Sequence, residues 1–127
     1  MDIRSIEQVA PRMQHHGSTA VWWLHEAREI FAQTAGGHLE LVSEFEIEGG
    51  GAVHPHRRPI YEFYYVISGR GRMTVEGETR EIGPGDMVCI PPDALHSLEP
   101  VTTHASIHCF CFAVGLPTSG VIDYTNH

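Results

Sequence analysis

The sequence predicts an all-β fold in one domain, and three observations support that prediction. The chain has 127 residues, a length that a single hydrophobic core ordinarily serves. From about residue 36 onward, clusters of glycine and proline mark turns roughly every ten residues, as in β-sandwiches and barrels. Between these turns, apolar and polar residues alternate, which is the pattern of strands with one buried face. We therefore assign residues 1–127 to a single β-domain, with its barrel core at about 38–114.

The same pattern predicts the individual strands. Residues 39–47 alternate apolar and polar side chains with a period of two, so they are expected to form a strand with one wet face. Residues 62–75 carry SGRG between two apolar runs, and EGE at 76–78 repeats that arrangement, so both indicate β-hairpins. Residues 104–114 are apolar on both faces. This pattern predicts a strand that the N-terminal segment or a second subunit covers on its outside.

The N-terminal segment contains conflicting signals. Good helix formers occupy its second half, yet AVWWL at 20–24 favours a strand, and a Gly-Gly pair provides a turn before residue 38. We predict strands over about 20–37 that complete a sheet or a dimer interface. Trp22 and Trp23 would then lie on opposite faces, and an outward tryptophan suggests the surface of a homodimer.

Composition excludes several classes of partner. Asp and Glu total 16 against 8 Lys and Arg, so the net charge of −8 disfavours phosphate backbones and anionic membrane surfaces. The sequence has no apolar stretch of signal-peptide or membrane-span length, and its 3 cysteines do not suggest a disulfide framework. We expect a reduced, cytoplasmic protein that binds neither nucleic acid nor membrane. The 10 histidines are unusual and indicate metal or proton chemistry.

His54 and His56 begin the strongest candidate site. Residues two apart in a strand point to the same face, so both imidazoles could reach one metal ion. Glu62 could add a carboxylate oxygen, and His96 could add a third imidazole from another strand. Three nitrogens and one oxygen leave open positions on a five- or six-coordinate ion for water, dioxygen or a chelating substrate.

These residues resemble the two motifs of the cupins, a family of small double-stranded β-helix or jelly-roll barrels. The first motif is a glycine, five residues, His-x-His, three or four residues, Glu, six residues and Gly. Here His54-x-His56 precedes Glu62, and six residues separate Glu62 from Gly69. The second motif is a glycine, five residues, Pro-x-Gly, two residues, His, three residues and Asn, and it corresponds here to Gly85, Pro91, Asp93, His96 and Pro100. The resemblance covers about residues 38–114, and it implies a jelly-roll barrel with four metal ligands: His54, His56, Glu62 and His96.

The chain departs from these motifs at several points. Five residues, rather than three or four, separate His56 from Glu62. A loop or bulge has to absorb the additional residue; otherwise Glu62 points away and the site consists of three histidines only. Asp93 and Pro100 replace the family's Gly and Asn in loops, where such changes are tolerated.

Tyr64 should also face the interior, two residues after Glu62. Its phenol could act as an acid, a base or an orienting donor, or it could simply pack in the barrel. Some cupin lyases that cleave dimethylsulfoniopropionate look similar at this Glu-x-Tyr pair. Arg57 and Arg58 flank the expected pocket mouth, where they could attract a carboxylate-bearing substrate or could be solvated loop residues.

Three more residues on the apolar strand are candidates with simpler explanations. His108 could lie over the metal pocket, or it could be structural or face an interface. Cys109 and Cys111 are two residues apart, but without a matching zinc-site pair they are better interpreted as buried core thiols.

Two functions are compatible with these features. The first is a metal-dependent dioxygenase, lyase or isomerase that acts on a small anionic metabolite, with one divalent ion of Fe, Mn, Ni, Zn or Cu and Tyr64 as the candidate catalytic residue. The second is a non-catalytic module that binds a small-molecule ligand, with a structural metal or none. The sequence does not decide between them, because one fold supports many reactions.

Overall fold

A computed structural model describes residues 2, 4–26, 29 and 39–115 of the chain. These residues form ten β-strands. Within them, no helix is long and apolar enough to cross a membrane. The strands are β1 (Arg12–Gln14), β2 (Thr19–His25), β3 (Leu39–Ile47), β4 (Val53–His56), β5 (Ile60–Ser68), β6 (Gly71–Val75), β7 (Glu78–Ile82), β8 (Met87–Ile90), β9 (His96–Pro100) and β10 (Ile107–Gly115).

The strands form two antiparallel sheets whose inner faces share one core. The larger sheet has the order β1-β2-β3-β10-β5-β8, and the smaller sheet has the order β4-β9-β6-β7. Leu41 and Val66 of the larger sheet belong to the same buried cluster as Met73 and Leu98 of the smaller one. The prediction of an all-β jelly roll is therefore confirmed. Among the described strands, β8 and β7 are end strands that the turn at residues 83–86 connects.

Strand β3 has the bounds that the alternating pattern predicts. Leu41, Phe45 and Ile47 are buried on the inner face, and Glu44 and Glu46 lie on the partly exposed outer face. Glu40 is the exception, because it is buried although its sequence parity places it outside.

The prediction of a hairpin over residues 62–75 is wrong. Strand β5 belongs to the larger sheet and β6 to the smaller one, so the SGRG turn carries the chain from one sheet to the other. Gly69 makes this crossing possible, because it has a left-handed φ of 83° and lies against the backbone of Ser106 and Ile107. A tight glycine turn looks the same in sequence whether its strands pair or separate.

The second predicted hairpin is confirmed. Strands β6 and β7 pair, with Val75 opposite Glu78. Between them, Glu76 and Gly77 have φ values of 47° and 81°, as the two central residues of a type I′ turn require.

The N-terminal strand prediction is confirmed for residues 19–25. Strand β2 pairs antiparallel with β3, which places Trp23 in the core and Trp22 on the outer face, as expected. The remainder of the segment predicted at 20–37 lies outside the described residues except at positions 26 and 29, and so does the chain after residue 115.

Strand β10 lies between β3 and β5 at the centre of the larger sheet. Cys109 and Cys111 on its inner face are buried free thiols, as predicted. His108 and Phe112 on its outer face are half-buried. His108 packs against Trp22 of β2, the next strand beyond β3, and Phe112 packs against Phe63 of the neighbouring β5.

Replacing Gly69 by alanine should destabilise the fold much more than the same change at Gly77. Both glycines have a positive φ, so both substitutions carry a left-handed cost of about 1–2 kcal/mol. An added Cβ at Gly69 would lie 2.9 Å from the Cα of Ile107, whereas at Gly77 no atom of the described residues lies within 4 Å. In urea unfolding we expect losses of about 1 kcal/mol for Gly77→Ala and about 3 kcal/mol or more for Gly69→Ala. Equal losses would contradict the packing at the crossing.

Candidate metal centre

Three of the four ligands that the sequence predicts converge inside the barrel. His56 of β4, Glu62 of β5 and His96 of β9 place their ligand atoms within 4.8 Å of one another. Glu62 is 3% exposed and His96 is 2% exposed, while His56 is half-buried. Because β5 belongs to the larger sheet and the other two strands to the smaller one, the cluster spans the barrel interior.

His54 does not join this cluster, because a β-bulge interrupts β4. Val53 lies opposite Leu98 and His56 lies opposite His96, so three residue steps in β4 correspond to two in β9. Val53 and His56 therefore both face inward, and the side chain of His54 is exposed. The expectation that residues two apart share a face does not hold across the bulge.

Glu62 faces inward, in contrast to the three-histidine alternative. Residues 57–59 form the short connection from β4 to β5, which leaves the period of two intact in β5. Glu62 lies opposite Ile90 of β8 and, like Ile90, is buried.

The backbone of His54 holds two neighbouring imidazoles. Its carbonyl accepts a hydrogen bond from Nδ1 of His56 at 2.7 Å, and its amide donates to Nδ1 of His15 at 3.1 Å. His54 thus contributes to the site through its peptide groups, and its ring is exposed at the surface.

Both imidazoles of the cluster present a lone pair on Nε2. Nδ1 of His96 donates to the carbonyl of Ala94 at 2.9 Å, just as Nδ1 of His56 donates to that of His54. Carbonyls only accept, so each neutral ring carries its proton on Nδ1. Burial lowers the pKa of His56 to about 4, and burial also lowers the pKa of His96. The two rings are therefore neutral near pH 7, as metal ligands must be.

Two hydrogen-bond acceptors face each other in the buried part of the cluster. Nε2 of His96 lies 3.9 Å from Oε1 of Glu62, and neither atom has a hydrogen-bond partner within the described part of the chain. An unpaired buried acceptor costs about 1–3 kcal/mol, and two facing lone pairs repel each other as well. A cation between them removes both penalties, since nitrogen and oxygen ligands lie about 2.0–2.2 Å from a bound zinc ion. The residues therefore fit a divalent metal.

The second oxygen of Glu62 is fixed by a thiol. Cys111 Sγ donates to Oε2 of Glu62 at 3.8 Å, which leaves Oε1 directed at His96. Burial raises the pKa of Cys111 well above its usual value, so this thiol keeps its proton. Cys111 in turn lies opposite Ser43 of β3.

The cavity beside the cluster is small and carries both a cationic and a phenolic side chain. Its volume is about 40 Å³, and its lining includes Glu62, Tyr64 and the half-buried Arg58. Burial, followed by the charge of Glu62, raises the pKa of Tyr64 well above its usual value, so its hydroxyl is a donor. A wider groove of about 970 Å³ runs along β7 and β8, but its lining contains none of the three clustered ligands.

Two further candidates from the sequence lie outside the cavity. Arg57 is exposed and donates to the carbonyl of Asp93 at 3.0 Å. His108 lies on the outer face of the larger sheet, where its ring nitrogens are 3.4 Å from Glu44 and 3.6 Å from Glu46.

His15 lines the cavity, although no sequence pattern predicts it there. It is 5% exposed, and its ring centroid lies 5.7 Å from that of His56. It comes from the turn between β1 and β2, far from His56 in sequence, so no local spacing connects the two residues.

The chain is similar to known proteins in both sequence and structure. Residues 43–111 match the family model described as Cupin domain. A 38-residue segment is 45% identical to the uncharacterized protein MJ1618 of Methanocaldococcus jannaschii and covers 30% of each chain. The matched segment thus spans about a third of that relative.

Solved structures extend the likeness to nearly the whole chain. A predicted oxalate decarboxylase of Thermotoga maritima has a TM-score of 0.79 at 17% identity, covering 91% of this chain and 100% of that one. The polyketide cyclase RemF of Streptomyces resistomycificus has a TM-score of 0.69 at 20% identity, covering 98% and 89%. KdgF of Halomonas sp. has a TM-score of 0.70 at 16% identity, covering 91% and 96%. At these identities the likeness concerns the fold alone.

Replacing Glu62 by glutamine should stabilise the metal-free protein. In the wild-type protein, Nε2 of His96 faces an acceptor, whereas the amide of glutamine can donate a hydrogen bond to it. A neutral side chain also costs less free energy to bury than a carboxylate. We expect the unfolding free energy of EDTA-treated protein to rise by about 1 kcal/mol. A double-mutant cycle with His96→Leu isolates the contact, and its coupling energy should account for most of the gain. A loss of stability without coupling would contradict the facing acceptors.

Proposed function

This chain belongs to the cupin family, and on that premise we propose that it is a metal-dependent enzyme acting on a small anionic metabolite. The observation that carries the proposal is a pair of facing acceptors, on Glu62 and His96, that have no partner among the described residues, with His56 beside them. Evolved proteins seldom bury polar atoms without a partner. Two imidazole nitrogens and a carboxylate oxygen are ligand atoms that suit a divalent cation.

His56, Glu62 and His96 would hold one ion of Fe, Mn, Ni, Zn or Cu and leave other coordination positions open. Two imidazoles and one carboxylate occur both in non-haem iron oxygenases and in catalytic zinc sites. When bound, the ion would supply dioxygen activation or Lewis-acid polarisation of a substrate oxygen. The ligand set is thus compatible with a dioxygenase and with a lyase or isomerase.

Arg58 and Tyr64 support a small anionic substrate. The guanidinium of Arg58 provides a positive charge at the cavity in a chain that is otherwise acidic, and it matches the geometry of a carboxylate. The hydroxyl of Tyr64 would orient a substrate oxygen as a donor. The cavity is far smaller than the roughly 300 Å³ of a drug-sized site, so only a small polar group can approach the ligands. The Thermotoga maritima neighbour is described as a predicted oxalate decarboxylase, and oxalate belongs to this chemical class.

A non-catalytic binding module is the second candidate. The narrow cavity favours it, because an ion with a few water molecules would fill most of the space beside the ligands. In that case the ion would be structural, and a small ligand would be held without conversion.

Metal content should depend on the clustered residues and not on His54. Purified protein, passed through chelator-treated buffer to remove loosely held ions, should retain close to one transition-metal ion per chain by mass spectrometry. His96→Ala should reduce this content by at least about tenfold, because it removes a ligand. His54→Ala is the matched control and should retain the ion, since its ring lies outside the cluster. Loss of the ion in His54→Ala would show that the ring of His54 is a ligand, in contradiction to its exposed position.

Turnover should depend on Arg58 and not on Arg57. We expect metal-loaded protein to convert one or more members of a panel of small carboxylates, with oxygen uptake recorded for each. Arg58→Gln should raise KM by roughly 10- to 100-fold, the value of a charge-assisted hydrogen bond, whereas Arg57→Gln should leave KM unchanged. Oxygen uptake identifies a dioxygenase, and conversion without it identifies a lyase or isomerase. Stoichiometric binding without conversion would instead favour the binding module.

A further inference from the structure

We propose that His16 and His54 form a second, solvent-facing site for a divalent transition-metal ion, outside the buried cluster. The proposal goes beyond the proposed function, because it requires neither Glu62 nor His96. It assigns a role to the first histidine of the HPH sequence, which the β4 bulge turns away from the interior.

The two rings are exposed and stand at a distance that one shared ion would produce. Their centroids are 5.3 Å apart and their planes are inclined by 64°. Two imidazoles bound to one tetrahedral ion, with metal–nitrogen distances of about 2.0–2.1 Å, place their ring centres about 5 Å apart. The two rings are therefore close enough for one ion to bridge them.

The backbone that carries His16 is held in an unusual conformation. His15, His16 and Gly17 have successive φ values of 51°, 59° and 80°. Left-handed conformations are unfavourable for residues with a Cβ, and strained residues concentrate at functional sites. Two consecutive histidines at such positions therefore suggest a role beyond making a turn.

Ser18 fastens this turn to the segment that leads into β4. Its hydroxyl donates to the carbonyl of His15 at 2.9 Å, and it accepts from the amide of Ala52 at 3.2 Å. Ala52 lies two residues before His54, so the two imidazoles are carried by segments that are tied together. A preorganised pair binds an ion with a smaller loss of conformational entropy.

His15 separates the outer pair from the buried cluster. Its ring centroid lies 5.6 Å from that of His54 and 5.7 Å from that of His56. Because Nδ1 of His15 accepts from the amide of His54, its neutral ring carries the proton on Nε2, so it is a spacer and not a ligand. The ring of His15 thus lies between the proposed site at His16 and His54 and the buried cluster.

The chemistry of the pair defines the ions that it would accept. Imidazole nitrogens suit Zn²⁺, Ni²⁺ and Cu²⁺, whereas Mg²⁺ and Ca²⁺ require oxygen ligands. Within the described residues no third ligand group lies close enough to join the pair, so water would complete the coordination. Binding should therefore be weaker than in the buried cluster, with ready exchange of the ion.

The test uses the full-length chain with the buried site removed by His96→Ala, and Ni²⁺ alone as the probe. Isothermal titration should give about one ion per chain, and imidazole ¹⁵N spectra should show the resonances of His16 and His54 broadened by the paramagnetic ion. His16→Gln and His54→Gln, each added to this background, should weaken binding at least about tenfold. His104→Gln is the matched control, an exposed histidine in another turn, and should leave binding unchanged.

The outcomes separate this inference from the proposed function. Absence of Ni²⁺ binding in the His96→Ala background, or equal weakening by His16→Gln and His104→Gln, would overturn the outer site. Binding that depends on His16 and His54 supports it, even if wild-type protein holds no ion at the buried cluster. That last result would reject the proposed function alone.

Discussion

The β-bulge between Val53 and His56 determines which histidine reaches the barrel interior. Val53 continues the core opposite Leu98, and His56 pairs with His96, so the one additional residue in β4 turns the ring of His54 outward. The peptide groups of His54 then hold His56 from one side and His15 from the other. The inner cluster and the outer pair of imidazoles are therefore two results of the same irregularity, which agrees with the frequent placement of bulges beside functional sites.

The buried cluster lowers the stability of the fold, because polar groups are removed from water there. A carboxylate and two imidazoles leave water there, and only part of their hydrogen-bonding capacity is recovered. Cys111 satisfies one oxygen of Glu62, and the carbonyl of Ala94 orients His96. The atoms left over, Oε1 and Nε2, point at each other, so the remaining cost is concentrated where a cation can relieve it. The described residues thus leave, between these two atoms, a position that a cation would fit.

Local patterns predicted the strands more successfully than they predicted the site. Strand β3 was predictable because a period of two is a local property. The left-handed φ of 62° at Asp93 likewise agrees with the glycine that the second cupin motif has at this position. The partners of β5 and β6 were not predictable, because a glycine turn does not reveal which sheet each strand joins. His54 and His15 were misplaced or missed for a related reason. The bulge in β4 and the left-handed turn at His15 and His16 depend on pairing with distant residues, which the spacing of residues along the chain does not reveal.

The two sheets end at β7 and β8 without pairing to each other among the described strands. Each end strand offers unpaired amides and carbonyls to a strand of another molecule, which makes such edges a route to aggregation. The β7 edge is exposed and carries the charges of Glu78, Arg80 and Glu81, and these disfavour stacking against a copy of itself. The β8 edge is apolar, but it extends for only four residues before Pro91, which has no amide hydrogen to donate. The barrel can thus stay open on this side, where three charges and a proline disfavour the pairing of edge strands from two molecules.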